Sequence, residues 1–223
     1  WPGLKLEMPH WGGADVAGEV AGLGEGVAGW EVGQRVAMNF RTYCGKCYYC
    51  RSTREQFCEH VTSYEAGFSE YALYGEAAVY ALPDDVSLER GAMLEPVTIA
   101  LHAVDLGNIS PGSTVAVLGV GTIGLLVMQL AIRAGAARVL VSDPMPEKRE
   151  LAKKMGADWA IDPTSEDLVK VGVEHMDGRG FDTVFEASGK LPAVEQSVGL
   201  ADKCGTVVWV GVYPEKAEGP VNP

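Results

Sequence analysis

The rhythm of apolar and polar positions changes partway along the chain. Over roughly the first ninety residues, apolar positions come in short bursts separated by glycine. Gly18 to Val20, Gln34 to Met38 and Tyr71 to Leu73 read as pieces of strand between turns such as Gly24-Glu25-Gly26 and Pro83-Asp84-Asp85. No long helical period starts before Leu88, so this part predicts a compact, irregular β domain. From Ser113 onward strands and helices alternate. Thr114 to Gly119 is an apolar, β-branched run, and Thr122 to Ala134 carries Ile123, Leu126, Val127, Leu130 and Ala131 at helical spacing. Arg138 to Asp143 reads as a second strand and Glu147 to Met155 as a second helix, stopped by Gly156. Asp158 to Ile161, Phe181 to Glu186 and Thr206 to Gly211 supply three further strands, with helices at about 165–176 and 191–202 between them. This alternation predicts βαβ units and a parallel sheet of five strands, one short of a complete dinucleotide-binding fold.

From Ile109 to Ile132 no residue is charged, long enough to span a bilayer. Pro111, Gly112, Ser113, Thr114, Gly119, Gly121, Thr122, Gly124 and Gln129 divide the run into a strand, a glycine turn and a buried helix, which argues against a span. The 223 residues carry 18 Lys and Arg against 30 Asp and Glu, a net charge of -12. That balance argues against nucleic acid or an anionic membrane surface as partner, because phosphates would be repelled. The N-terminus shows no secretory signal, and the chain starts at Trp1 and ends in Gly219-Pro220-Val221-Asn222-Pro223. These ends are expected to be those of a processed chain or of a piece of something longer.

Four of the five cysteines are bunched as C-x2-C-x2-C-x7-C: Cys44, Cys47, Cys50 and Cys58. Four thiolates can surround a tetrahedral Zn2+, and two-residue spacers let one loop supply successive ligands. With sulfur at every position such a zinc is structural. Arg41, Lys46, Arg51 and Arg54 are available to offset the excess negative charge. Disulfides, unrelated thiols or an iron–sulfur cluster are the alternatives. In the ferredoxin pattern, however, the fourth cysteine follows after three residues and precedes proline, whereas Cys58 follows after seven and precedes Glu59. Cys204 stands alone before a strand and is expected to be an inert buried thiol.

Gly119-Val120-Gly121-Thr122-Ile123-Gly124 is a G-x-G-x-x-G that follows a strand and opens a helix, the context that gives the motif meaning. Gly119 permits the tight turn, Gly121 lets backbone approach a pyrophosphate, and Gly124 lets helix and strand pack closely. The helix N-terminus, with Thr122 and Ile123 in its first turn, then offers free N–H groups and a partial positive charge, so an acidic protein can still hold an anionic cofactor. Asp143 closes the second strand 19 residues after Gly124. A carboxylate there accepts from the ribose hydroxyls of NAD and repels the additional phosphate of NADP. Asp143 also reads as a cap for the helix shaped by Pro144 and Pro146, and both roles are compatible. Lys148 and Arg149 lie close enough to weaken the preference for NAD, or are simply helix-surface charges.

A four-cysteine lobe followed by a strand–GxGxxG–helix unit resembles the zinc-containing medium-chain dehydrogenases, particularly the polyol, butanediol and threonine dehydrogenase branch. The resemblance runs through GEVAGLGEGVAGWEVGQRV, CGKCYYC, ALPDDVSLERGAMLEPVTIALHAV, VAVLGVGTIGLL, VLVSDPMPEKRELAKKMGAD and FEASG. It implies an α/β protein with a GroES-like β domain over 1–105, bearing the zinc lobe at 41–60, and an incomplete Rossmann doubly wound parallel sheet over 106–223. It also implies that Cys44, Cys47, Cys50 and Cys58 hold a structural zinc. Ile123, Asp143 and Lys148 would lie at the adenosine half of NAD, and Val210, Gly211 and Val212 near the nicotinamide. Glu95 aligns with the acidic residue at the catalytic zinc of this branch, although before Pro96 it reads equally as a helix-start carboxylate. The implied activity is hydride transfer between a small secondary alcohol or polyol and NAD, with zinc as Lewis acid on the alcohol oxygen, in a cytoplasmic homo-oligomer.

The pattern breaks at the catalytic metal. Members with that zinc take one ligand from an N-terminal cysteine, a region this chain lacks, and another from the histidine of Gly-His-Glu. Here the stretch is Gly13-Ala14-Asp15, so Ala14 stands at the histidine position while Asp15 keeps a carboxylate at the glutamate position. His10 lies four residues upstream and could substitute only if the loop rearranged. Two other readings therefore stand beside the alcohol dehydrogenase: a reductase of quinones or activated alkenes that keeps the structural zinc and the NAD site without a catalytic zinc, and a fragment that binds NAD and zinc without catalysis.

Overall fold

The computed structural model describes residues 12–64 and 67–213. They form two compact units that divide at Glu95/Pro96. The sequence predicts a boundary at 105/106. The division falls earlier because the helix beginning at Leu94 buries Ala100, Ala103 and Val104 in the core of the second unit.

In the first unit β1 (Val16–Glu19), β2 (Arg35–Met38) and β5 (Val79–Ala81) form an antiparallel sheet in the order β1-β2-β5. Val16 pairs with Met38, and Val36 with Ala81. β3 (Arg41–Thr42) and β4 (Thr62–Ser63) make a small antiparallel ladder at the two ends of the cysteine segment. Between them lie α1 (Tyr48–Arg51) and a 3₁₀ turn at Glu55–Phe57. The helix α2 (Leu88–Ala92) packs on β1 and β2, its first turn capped by Ser87, whose hydroxyl accepts from the Arg90 amide at 3.3 Å. The strand expected at Tyr71 to Leu73 is absent. No described strand pairs with it, and Tyr71 and Leu73 are 79% and 92% exposed. Apolar residues with neither a ladder partner nor a core face to cover have no reason to stay extended.

The second unit begins within α3 (Leu94–Gly107) and continues as β6 (Thr114–Leu118), α4 (Thr122–Ala134), β7 (Arg138–Ser142), α5 (Pro146–Lys154) and β8 (Trp159–Ile161). Then follow α6 (Leu168–His175), β9 (Phe181–Glu186), α7 (Leu191–Leu200) and β10 (Ala201–Trp209). The five strands are parallel, in the order β10-β9-β6-β7-β8. Successive residues of β6 face opposite sides of the sheet. Val115 and Val117 join one core with residues of α3, α4 and α5, while Ala116 and Leu118 join the other with Leu168 and Leu200. Burial on both faces is why these strands read as continuous apolar runs. The uncharged stretch from Ile109 to Ile132 resolves into β6, the glycine turn and α4. No helix among the described residues is long and apolar enough to cross a membrane.

Cys204 is exposed, against the expectation of a buried thiol. It sits where the pairing of β10 with β9 slips between Ala201 and Thr206, on a strand at the edge of the sheet.

Candidate functional site

The chain leaves β6 to build β7 and β8 on one side, then returns to place β9 and β10 on the other. Such a reversal opens a crevice beyond the carboxyl ends of β6 and β9, where open α/β sheets bind ligands. The glycine turn occupies that position. Gly119 has φ +87°, and a Cβ there would stand 2.8 Å from the Ser188 backbone nitrogen. Gly121 precedes α4 with φ −71°, and a Cβ on it would meet nothing within 4 Å. A Cβ on Gly124 would overlap the Gly119 carbonyl oxygen and stand 2.9 Å from its carbonyl carbon. So the first glycine makes the turn and the third brings helix and turn together, while the second leaves its front open. Thr122 is exposed and Ile123 is half-buried against the core, both in the first turn of α4, whose leading N–H groups lack intrahelical partners.

Asp143 follows β7 and is buried, its carboxylate already engaged. Oδ2 accepts from the Val120 amide of the glycine turn at 3.1 Å, and Oδ1 from the Met145 amide at 3.0 Å. Lys148 Nζ lies 4.0 Å from Oδ2. Arg149 donates to the Asp143 carbonyl at 2.6 Å and pairs with Asp162 at 3.3 Å. Thr164, through hydroxyl and amide, holds the Asp162 carboxyl below its ordinary value, with Arg149 adding a smaller pull the same way. Arg149 is thus committed to the loop that carries Asp143, which leaves Lys148 as the more adjustable cation beside it.

Val210 and Gly211 follow β10, and their amides donate to the Glu186 carbonyl at 2.8 and 3.0 Å. Val212 is half exposed next to them. Sequence reasoning missed Glu186 itself, which ends β9 with its side chain fully buried. Its Oε1 accepts from the Ser188 amide at 2.8 Å, the Gly189 amide at 3.0 Å and the Ser188 hydroxyl, and its Oε2 from the Tyr213 hydroxyl. Burial, then the Glu186 charge, push the Tyr213 phenol well above its ordinary value, so it stays a donor. The available signal was an acidic residue closing an apolar strand and followed by Ala-Ser-Gly.

In the first unit the four cysteines converge. Cys47 caps α1 and Cys50 lies within it, Cys44 sits in the preceding turn, and Cys58 ends the 3₁₀ turn. The rings of Tyr49 and Phe57, with centroids 6.1 Å apart, brace α1 against that turn. All four sulfurs lie within 4.8 Å of one another. The spacings are 3.5 Å for Cys47–Cys50 and 3.9 Å for both Cys44–Cys50 and Cys47–Cys58. A tetrahedron of ~2.3 Å zinc–sulfur bonds has edges of about 3.8 Å, so the donor set fits zinc in number, type and spacing. All are free thiols, which disfavours the disulfide alternative. Charge relief at the sulfurs comes from backbone amides: Cys44 and His60 donate to Cys58 Sγ at 3.4 and 3.3 Å, and Cys47 to Cys44 Sγ at 3.4 Å. Such donors, from Cys50 and Glu59, bring the Cys47 thiol down to about 6, while burial and neighbouring sulfurs push Cys50 up to about 12. Four thiolates can coexist there only around a cation.

Asp15 and Glu95 also meet in this unit. Burial raises the Glu95 carboxyl above its ordinary value, and the Asp15 charge and hydrogen bond add to the effect. Glu95 occupies the first turn of α3, as the helix-start reading expects. The two carboxylates lack a third donor: among the described residues, only the four cysteines form a group of three or more ligands able to hold a metal. They do not fit a second zinc by themselves. His10 lies outside the described residues.

Two family models match, an alcohol dehydrogenase GroES-like domain over residues 2–84 and a zinc-binding dehydrogenase over residues 122–223. The L-threonine 3-dehydrogenase of Pyrococcus horikoshii is 37% identical over 220 residues, covering 97% of this chain and 63% of that enzyme. The sorbitol dehydrogenase of Bacillus subtilis is 32% identical over 222 residues, with the same two coverages. A solved zinc-binding dehydrogenase from Sinorhizobium meliloti 1021, bound to NADP, superimposes with a TM-score of 0.92 at 35% identity, covering 97% of this chain and 65% of that one. The chain thus spans about 63% of the length of the curated relatives it matches.

Proposed function

Because the chain belongs to the zinc-containing medium-chain dehydrogenase family, we propose that it is part of an NAD-dependent oxidoreductase acting on a small secondary alcohol or polyol. The observation that carries this reading is the Asp143 carboxylate bonded to the glycine turn at the sheet's switch point. The first amides of α4 would receive the diphosphate, and Gly121 leaves room for it to approach. Asp143 would accept from the adenosine ribose hydroxyls and oppose an extra phosphate, with Ile123 and Lys148 beside the adenosine half. The dinucleotide then has one direction in which to continue, toward the ends of β9 and β10, where Val210, Gly211 and Val212 would flank the nicotinamide. When bound, NAD supplies the acceptor for a hydride from the carbinol carbon. The Cys44, Cys47, Cys50 and Cys58 cage would hold a structural zinc that fixes a segment with little core of its own. The same reading places the protein in the cytoplasm, as a homo-oligomer.

A second reading, a reductase without catalytic zinc, is favoured by Ala14 and by the two-carboxylate set at Asp15 and Glu95. The deciding experiment is elemental mass spectrometry of zinc per polypeptide on the complete protein, beside assays with NAD on a panel of polyols and hydroxy-amino acids and with NADH on quinones and activated alkenes. Two zincs with alcohol oxidation support the first reading. One zinc with quinone or alkene reduction supports the second. Nucleotide binding without turnover of any substrate refutes both.

A further inference from the structure

Glu186 is a fully buried carboxylate to which the scheme above gives no task. It ends β9, on the far side of the switch point from Asp143, and organises two segments at once. Its carbonyl receives the amides of Val210 and Gly211, and its carboxylate receives Ser188, Gly189 and Tyr213. The two segments are pressed together without spare volume. A Cβ on Gly211 would overlap Glu186 Oε2 and stand 2.6 Å from Gly189 Cα, and one on Gly189 would stand 2.7 Å from the Val212 carbonyl oxygen. The loop after β9 also rests on the glycine turn, where Ser188 closes over Gly119 and the Ala187 amide donates to the Leu118 carbonyl at 2.8 Å. Burying a carboxylate is costly unless donors surround it. Here every partner belongs to one of the two segments, so the stabilisation is directed into fixing their mutual position.

We propose that Glu186 is a positioning residue, which ties the loop after β9 to the segment after β10 and so fixes the wall that receives the nicotinamide nucleoside. The proposal rests on the dinucleotide reading and deepens it. Asp143 and α4 serve the adenosine and diphosphate; Glu186 serves only the other half. Glu186→Gln replaces an acceptor by an amide NH2, which can no longer accept from all its donors. Both segments are then released to move, while the glycine turn keeps its hydrogen bonds to Ser142 and Asp143 and with them the start of α4.

The test is isothermal titration of the chain with NAD and, separately, with ADP, which carries the adenosine and both phosphates but no second nucleoside. Glu186→Gln is expected to weaken NAD at least tenfold and to leave ADP within twofold. Tyr213→Phe removes one donor and keeps the carboxylate, and is expected to weaken NAD about threefold with ADP unchanged. Where circular dichroism shows that Glu186→Gln does not fold, Tyr213→Phe decides. Unchanged NAD affinity, or parallel loss of NAD and ADP as a merely structural role predicts, overturns the proposal. If the wild-type chain binds neither NAD nor ADP, the dinucleotide reading falls and the proposal falls with it.

Discussion

Replacing Gly124 and Gly121 separately by alanine distinguishes a glycine that packs from a glycine that admits a ligand. At Gly124 the new methyl overlaps the Gly119 carbonyl oxygen and lies 2.9 Å from its carbon, where ordinary contact begins at 3.4 Å. Relieving the overlap with the oxygen takes a separation of helix and turn of more than about an ångström, and the obstacle is backbone, which cannot rotate away. An overlap this deep with backbone lies at or beyond the upper end of the ~1–3 kcal/mol that overpacking costs, and the better helix propensity of alanine returns only ~1 kcal/mol. A net loss of about 2 kcal/mol corresponds to a melting temperature lower by roughly 10 °C in a unit of this size. At Gly121 the methyl meets nothing within 4 Å and φ is −71°, so the cost is limited to the poorer cap, about 1 kcal/mol or less. That methyl instead projects where the diphosphate is expected, and NAD affinity should fall at least tenfold. The assay pairs urea unfolding with NAD titration on both variants. A Gly124→Ala protein as stable as wild type would refute the packing argument. A stable Gly121→Ala protein with undiminished NAD affinity would refute the ligand argument.

Two further outcomes follow from the same geometry. Cys47→Ser removes one of four sulfur donors and is expected to lower zinc by about one atom per chain, with earlier proteolysis in the 41–60 segment; unchanged zinc would show that the metal sits elsewhere. Asp143→Asn loses the charge and one of two acceptors used by Val120 and Met145. It is expected to cost ~1–3 kcal/mol of stability and to shift the ratio of NAD to NADP affinity toward NADP, and titration with both nucleotides checks the shift.

What the sequence disclosed follows from how local the cause of each feature is. β6, α4 and β7 are long, apolar and punctuated by glycine, so their identity is written within a few residues. The expected strand Arg138 to Asp143 ends in the structure at Ser142, a small difference that leaves Asp143 at the mouth of the crevice. β3, β4 and α1 have two to four residues each and lie within or at the ends of the cysteine segment. No periodicity can reveal elements so short. Tyr71 to Leu73 is a short apolar run that reads as a strand, but no described strand pairs with it. Glu186 was invisible for a different reason: at the end of a strand a carboxylate ordinarily meets water. Its burial depends on Tyr213 arriving from 27 residues further on.

The order of strands bears on how the chain is made. β6 lies at the centre of the second unit's sheet between β7 and β9, both of which are synthesised after it. It is apolar on both faces, and β9 begins only at Phe181. A nascent chain therefore emerges with its most uncharged segment, from Ile109 to Ile132, unable to close on one side until some fifty further residues have been added. Until then α4 can shield only one of its faces. The centre of the finished sheet is thus, during translation, an apolar segment that waits for its second neighbour.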